Sequence, residues 1–321
     1  MSAVPGHEVL SPALRAVVAP GPETARVTAV LGRQANAASS TFESEIVTCR
    51  LSDGREVKLL CKHERFQQSN PADHASWGHR RGGGYEAEVY RRVLEPMGDV
   101  APRFYGAHQD RATGLACAFL EYLEGAGHPE DATTLPATTR WLARFHRAGE
   151  AFVSDPGVAF LTRYDPDYLT GWSRRTAEFV RPFPEHHAWV VGACQRFAEI
   201  GPAALLAQPT VIHGECYRKN LLMRDERIYG IDWETCAVAA GEIDLAMLTE
   251  GWEEADGVEA AVRQYAHERW PEAIPSGFAS RLALARVYVH LRWLGDHLEW
   301  TPYEAWRFEE LRRAGERAGL L

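Results

Sequence analysis

Two periods of apolar residues divide the chain. Apolar and polar positions alternate from Ala25 to Gly32, from Phe42 to Leu51 and from Val57 to Lys62. This predicts three strands, the first two joined by residues 34–41 and the last two by the turn signal Ser52-Asp53-Gly54. From Tyr85 to Leu94 the spacing becomes helical, with Tyr85, Val89, Val93 and Leu94 on one side and Glu86 and Glu88 elsewhere. Arg103 to Ala107 and Leu115 to Leu123 are expected to complete an antiparallel sheet. Later segments are helical: a stripe of Trp141, Leu142 and Phe145 after Thr138, amphipathic helices between turns over 155–205, and a long helix from Ser280 to Trp300. Thr301-Pro302-Tyr303-Glu304 reads as a capping box with proline at the first helical position. Pro5, Pro12, Pro20 and Pro22 limit the N-terminal arm to a short helix at most. Residues 63–84, polar and glycine-rich, are expected to form a loop.

The middle of the chain has a different texture. Val211-Ile212, Leu221-Leu222 and Ile228 to Ile231 read as short buried strands, with Arg224 to Arg227 as the polar turn between the last two. This hairpin is expected to carry Asp232 back toward Asn220. Glu215, Asn220 five residues on, and Asp232 then supply a carboxylate, an amide and a second carboxylate. Such a set holds a proton acceptor beside magnesium-bound phosphates, because magnesium prefers oxygen ligands. Glu215 would take the proton of an attacking hydroxyl.

The pattern His213-Gly-Glu215, four residues, Asn220-Leu-Leu, then Ile231-Asp232-Trp-Glu234, then Gly241-Glu-Ile-Asp244-Leu-Ala resembles the aminoglycoside phosphotransferase and choline kinase superfamily. The resemblance implies an α+β, two-lobed protein-kinase-like fold, with a small antiparallel-sheet N-lobe over 1–123 and a larger, mostly helical C-lobe over 124–321. It implies transfer of the γ-phosphoryl group of ATP, or another NTP, to a small-molecule hydroxyl, with Asn220 and Asp232 as ligands to Mg2+. Lys62 would reach the α and β phosphates, pinned by Glu86 with Glu88 as the alternative. The Ser39 or Ser40 hydroxyl would add a phosphate contact, main-chain groups of the connector at Glu121 and Leu123 would meet the adenine edge, and His213 and Asp244 would brace the loop. Two features depart from the family pattern. Glu215 stands where the family has Asp, and one methylene moves the carboxylate by roughly a bond length where an error of about 1 Å can cost 10²-fold in rate. The loop over the phosphates contains no glycine.

For the acceptor, Glu234, Asp167, and the group Glu250, Trp252 and Glu253 are candidates. Acids beside an aromatic ring can hold an amine by charge and cation–π attraction, although acids at a helix start are more commonly just solvated. His146 is expected to be a packed helix residue.

Composition narrows the functions further. Lys58, Lys62 and Lys219 are the only lysines among 35 basic residues, so each is informative. A net charge of −9 and a pI near 5.8 argue against nucleic acid or an acidic membrane as partner. The six cysteines lack the paired spacing of zinc or redox motifs. Residues 1–8 have no signal-peptide pattern, which points to a cytoplasmic protein. A monomer or homodimer is expected. A protein kinase is not expected, since Asp232 to Asp244 is too short for an activation segment. A catalytically silent nucleotide-binding relative is the alternative, and a metal-dependent hydrolase using His213, Glu215 and Asp232 a third.

Overall fold

The computed structural model describes residues 6–17, 26–37, 43–65, 84–110, 115–252, 257–296 and 303–321. Ser39, Ser40, Glu253 and the capping residues Thr301 and Pro302 lie outside them. The chain forms two compact units, one from residues 1–127 and 222–234, the other from 128–221 and 235–321.

The first unit opens with α1 (His7–Val17), which is longer than the prolines suggest. Pro12 removes one helical hydrogen bond, but Leu10, Ala13 and Leu14 compensate by burying against the sheet. The sheet runs β1 (Val27–Ala35), β2 (Ser44–Leu51), β3 (Glu56–Arg65), then, after α2 (Tyr85–Val89), a π-helical turn over Tyr90–Leu94 and α3 (Glu95–Met97), β4 (Phe104–Asp110) and β5 (Leu115–Glu121). Its order is β1-β2-β3-β5-β4, antiparallel throughout. Because side chains alternate along a strand, Val47, Cys49, Leu59, Cys61, Cys117 and Phe119 share the core face with α1, while Lys58, Leu60 and Lys62 fall on the other.

Strand β3 continues through His63 to Arg65, where the polar residues predicted a loop. His63 is buried because its ring meets Cys117 Sγ at 3.2 Å and Glu45 Oε1 at 2.9 Å, and Arg33 in turn donates to both oxygens of Glu45. A polar pattern thus hides a strand in which the buried His63 finds its partners on neighbouring strands. β1 likewise extends to Ala35, three residues past its expected end, through main-chain pairing with β2.

The second unit contains α4 (Leu135–Gly149), β6 (Thr162–Arg163), α5 (Pro166–Phe179), α6 (Pro184–Leu205) and β7 (Pro209–Ile212). The chain then makes the hairpin β8 (Leu221–Arg224) and β9 (Arg227–Gly230). Its turn residues Asp225 and Glu226 both have positive φ, as a two-residue hairpin turn demands. Back in the second unit come β10 (Ala237–Ala240), α7 (Gly241–Leu248), α8 (Val258–Arg269), α9 (Phe278–Asp296) and α10 (Tyr303–Arg317). β10 lies between β6 and β7 and was not anticipated, since Ala-Val-Ala-Ala offers no β-branched run.

Helix α9 packs against α5, α6, α7 and α10, and is buried nearly all round. Its buried polar residues therefore need partners. Arg281 donates to Glu242 at 2.8 Å, Arg292 to Glu215 at 2.6 Å, and Arg307 to the His290 ring at 3.1 Å. His290 Nδ1 accepts that bond, which requires the neutral imidazole. Burial, and then the charges of Arg307 and Arg286, push its pKa well below the ordinary value. The unfolded chain therefore binds a proton that the folded chain refuses, and stability is lost as pH falls below about 6.5. This one histidine contributes up to about 1.4 kcal/mol per pH unit. Urea midpoints measured from pH 7 to pH 5 should fall less steeply for His290→Gln than for wild type; equal slopes would refute the assignment.

Candidate active site

Strand β3 and α2 build one cluster, entirely within the first unit. Lys62 sits on β3 between Ser44 and Ala118 of the neighbouring strands, with its stem buried. Its ammonium is 2.7 Å from Glu86 Oε2 and also pairs with Asp232. Burial disfavours the charge, but Glu86, Asp232 and Glu234 outweigh it and hold the pKa well above that of a free lysine. Glu86 Oε1 accepts the Trp233 main-chain N–H at 2.9 Å, so this one carboxylate fixes both the lysine and the residue after Asp232. Trp233 is fully buried and donates Nε1 to the Gly230 carbonyl, while Asp232 itself adopts a positive φ of 67°.

Glu86, which the spacing sets apart from the apolar side of its helix, is nevertheless 1% exposed, because the ammonium and the amide together replace the water it loses. The alternative Glu88 binds Arg92 at 2.7 Å, and Lys58, four residues before Lys62 on the same face of β3, pairs with Glu124 near the surface. In the connector, the Glu121 side chain is 3.0 Å from Arg224, and the Leu123 carbonyl accepts from the Ala126 N–H.

The second cluster is the loop that leaves β7, within the second unit. Asp244, in the first turn of α7 and inaccessible to water, accepts the His213 N–H at 2.6 Å and the Gly214 N–H at 2.9 Å. The His146 Nε2 lies 3.2 Å from the same carboxylate, and its Nδ1 meets the Tyr265 hydroxyl at 2.7 Å. Burial holds the His146 pKa below its ordinary value despite the opposing pull of Asp244.

Two glycines make this geometry possible. Gly214 has φ 84°, and a Cβ there would stand 2.3 Å from the Thr235 carbonyl oxygen. A Cβ on Gly241 would strike Arg269 and His146 at 2.4 and 2.6 Å. Further along the loop, Asn220 Nδ2 donates to the Glu215 carbonyl at 2.9 Å. The Glu215 carboxylate is buried and meets Arg292 Nη2. Arg292 escaped the sequence reading; its only signal was a charge within the apolar stripe of α9.

Of the acidic and aromatic group expected to receive an amine, Glu250 and Trp252 are already engaged. Glu250 is held by Arg307, whose Nη2 donates at 3.2 Å, and Trp252 is covered by the Arg218 guanidinium at 3.6 Å from its ring centre. Arginines of the chain itself occupy the place of an amine, so this part of the expectation is withdrawn. Glu234 is buried beside the charge of Lys62, not at a surface open to an acceptor. Asp167 is exposed in the first turn of α5, where a negative charge suits the helix terminus.

The two units together match solved structures of protein-kinase-like small-molecule kinases, which shows the fold. Choline kinase LicA from Streptococcus pneumoniae aligns over 92% of this chain and 95% of its own, with 14% identity and TM-score 0.57. A choline/ethanolamine kinase family protein from Mesorhizobium loti aligns over 94% and 92%, with 18% identity and TM-score 0.55. The GDP complex of aminoglycoside 2'-phosphotransferase-IIIa aligns over 91% and 92%, with 13% identity and TM-score 0.58. No curated protein sequence matches. Residues 78–281 match the Phosphotransferase enzyme family, and the chain belongs to that family. The family is one of phosphotransferases.

Removing the Asp244 carboxylate would take the acceptor from two buried amides and the partner from His146 Nε2. Asp244→Ala is therefore expected to lower the unfolding free energy by about 3 kcal/mol or more, read from urea titration. A loss under about 1 kcal/mol would show that the loop does not depend on these bonds.

Proposed function

We propose that this protein transfers the γ-phosphoryl group of ATP, or of another NTP, to a hydroxyl of a small molecule. The observation that carries the reading is the buried Lys62–Glu86 ion pair, tied through the Trp233 amide to the Asp232 segment. A buried lysine is costly unless it has work or a partner, and here the pair aims an ammonium beside a carboxylate suited to a divalent cation.

The residues present fit such a cation. In the first unit, Asp232 supplies a carboxylate beside the Lys62 ammonium. In the second unit, Asn220 spends its amide nitrogen on the Glu215 carbonyl, leaving Oδ1 as the atom it offers to a metal. Both donors are oxygens, as magnesium requires. Asp232 and Asn220 would hold the ion, which when bound neutralises phosphate charge. Amicoumacin kinase hAmiN, 13% identical over 99% of this chain with TM-score 0.57, was solved with AMP-PNP, Ca2+ and Ami, which supports nucleotide and divalent metal use in this fold.

In this reading Lys62 binds the α and β phosphates, Glu86 orients it, main-chain groups at Glu121 and Leu123 meet the base, and Ser39 or Ser40 completes the phosphate contacts. Glu215 orients the acceptor hydroxyl and receives its proton, while Asp244 and His213 hold the loop in register. The structural relatives named for choline, aminoglycosides, amicoumacin and spectinomycin suggest alcohols of small polar molecules as the panel to try. A second reading has one specific observation in its favour. The Glu215 carboxylate is engaged by Arg292, which would suit a kinase-like protein that binds nucleotide without transfer.

ADP release with Mg2+ across that panel separates the two. Phosphorylated acceptor supports the enzyme; nucleotide binding without transfer supports the silent protein. Asp232→Ala should reduce turnover by at least about 10²-fold, and Glu215→Gln should lower kcat by a similar factor while leaving the KM for ATP near wild type. An Asp232→Ala rate equal to wild type would remove the metal assignment, and a Glu215→Gln effect confined to KM would assign Glu215 to binding.

A further inference from the structure

We infer that Arg292 is a positioning residue for Glu215, a clamp from helix α9 that fixes the glutamate carboxylate where the reaction needs it. The inference rests on the phosphotransferase reading above. It begins from a stereochemical problem. A glutamate has one more rotatable bond than an aspartate, so its carboxylate wanders more unless something holds it.

Every other atom group of residue 215 is already fixed. Its N–H lies 3.4 Å from His213 Nδ1, and its carbonyl accepts from Asn220 Nδ2 at 2.9 Å. The residue before it, Gly214, cannot swing, because its main chain is pressed against Thr235 and its N–H is bound to Asp244. Arg292 fixes the side chain as well. Nη2 donates to Glu215 Oε1 at 2.6 Å, and Nη1 donates to the Gly214 carbonyl at 2.8 Å. One planar guanidinium therefore measures the side chain against the main chain of the same loop. Arginine suits this task because its donors stand in a rigid fork, which lysine lacks.

The guanidinium is itself well held. Both side chains of the pair are at most 9% exposed, so neither swaps its partner for water. Next to Arg292 on α9, Trp293 donates Nε1 to the Tyr217 hydroxyl at 2.5 Å, so consecutive residues of one helix grip residues 215 and 217 of the loop. Burial disfavours the Arg292 charge, yet Glu215 and the surrounding Tyr217, Tyr164 and Tyr288 raise its pKa, and it remains a cation.

During transfer, the acceptor O–H bond breaks as its oxygen bonds to the γ-phosphorus, the bond from that phosphorus to the β-phosphate bridging oxygen breaks, and the proton passes to the Glu215 carboxylate. The role of Arg292 is to keep that carboxylate in line. It touches neither nucleotide nor acceptor in this assignment, so its effect should fall on kcat.

The test is a double-mutant cycle on the full-length protein with Mg-ATP and a turned-over acceptor, or water as acceptor, with melting curves run in parallel. Arg292→Met should lower kcat by roughly 10²-fold with the KM for ATP changed less than about twofold. Arg292→Lys, which keeps the charge but loses the fork, should retain roughly tenfold more activity than Arg292→Met. In a Glu215→Gln background, Arg292→Met should cost less than about threefold further, because the group it positions is already disabled. An equal fold-loss in both backgrounds would reduce Arg292 to a structural bolt and overturn the inference, as would full activity in Arg292→Met. Should Arg292→Met not fold, the same cycle with Arg292→Lys decides, with the same outcomes. A wild-type protein that neither transfers nor hydrolyses the γ-phosphoryl group overturns the phosphotransferase reading and this one with it. An active wild type with indifferent Arg292 variants overturns this one alone.

Discussion

A carboxylate sealed from water has to be met by donors, and the loop between β7 and β8 is shaped by that requirement. Asp244 receives two consecutive main-chain amides and faces the His146 ring, so the backbone of His213 and Gly214 can take only one course. Once that course is set, Glu215 and Asn220 follow, because the Asn220 side chain closes the loop onto the Glu215 carbonyl. The glycines at 214 and 241 serve the same constraint, one by adopting a backbone conformation other residues avoid and one by leaving room for arginine and histidine.

The first unit solves an analogous problem with the opposite charge. Lys62 is drawn into the sheet because Glu86 and Asp232 balance it, and Glu86 is tolerated inside its helix because it also accepts the Trp233 amide. Each ion makes the other's burial affordable, so loss of either would leave a charge where no water reaches. The same economy explains why arginines so often lie beside acids in the second unit. Arg281 with Glu242, Arg307 with Glu250 and Arg292 with Glu215 are internal pairs, and they leave Glu250, near Trp252, engaged within the chain itself.

That economy also marks the limit of pattern reading. A row of Glu250, Trp252 and Glu253 looks the same in sequence whether its acids face a ligand or a distant arginine, and Arg307 is 57 residues away from Glu250. His63 was taken for loop because polar residues usually mark one; Cys117 and Glu45, 54 and 18 residues away, make it part of a strand. β10, built from alanines and a valine, carries no propensity signal and exists because β6 and β7 flank it.

What the sequence determined by itself was local and chemical: the strand and helix periods, the turn at residues 224–227, and the spacing of Glu215, Asn220, Asp232 and Asp244 that resembles a phosphotransferase family. Those features are written within short stretches, where period and spacing are fixed by the geometry of the backbone. What only the tertiary structure decided was partnership at a distance: that Glu86, already preferred to Glu88 as the partner of Lys62, also takes the Trp233 amide, that Arg307 holds Glu250, and that Arg292 holds Glu215. Ion pairs across dozens of residues depend on how elements pack, and burial sets their strength by removing the water that would otherwise compete.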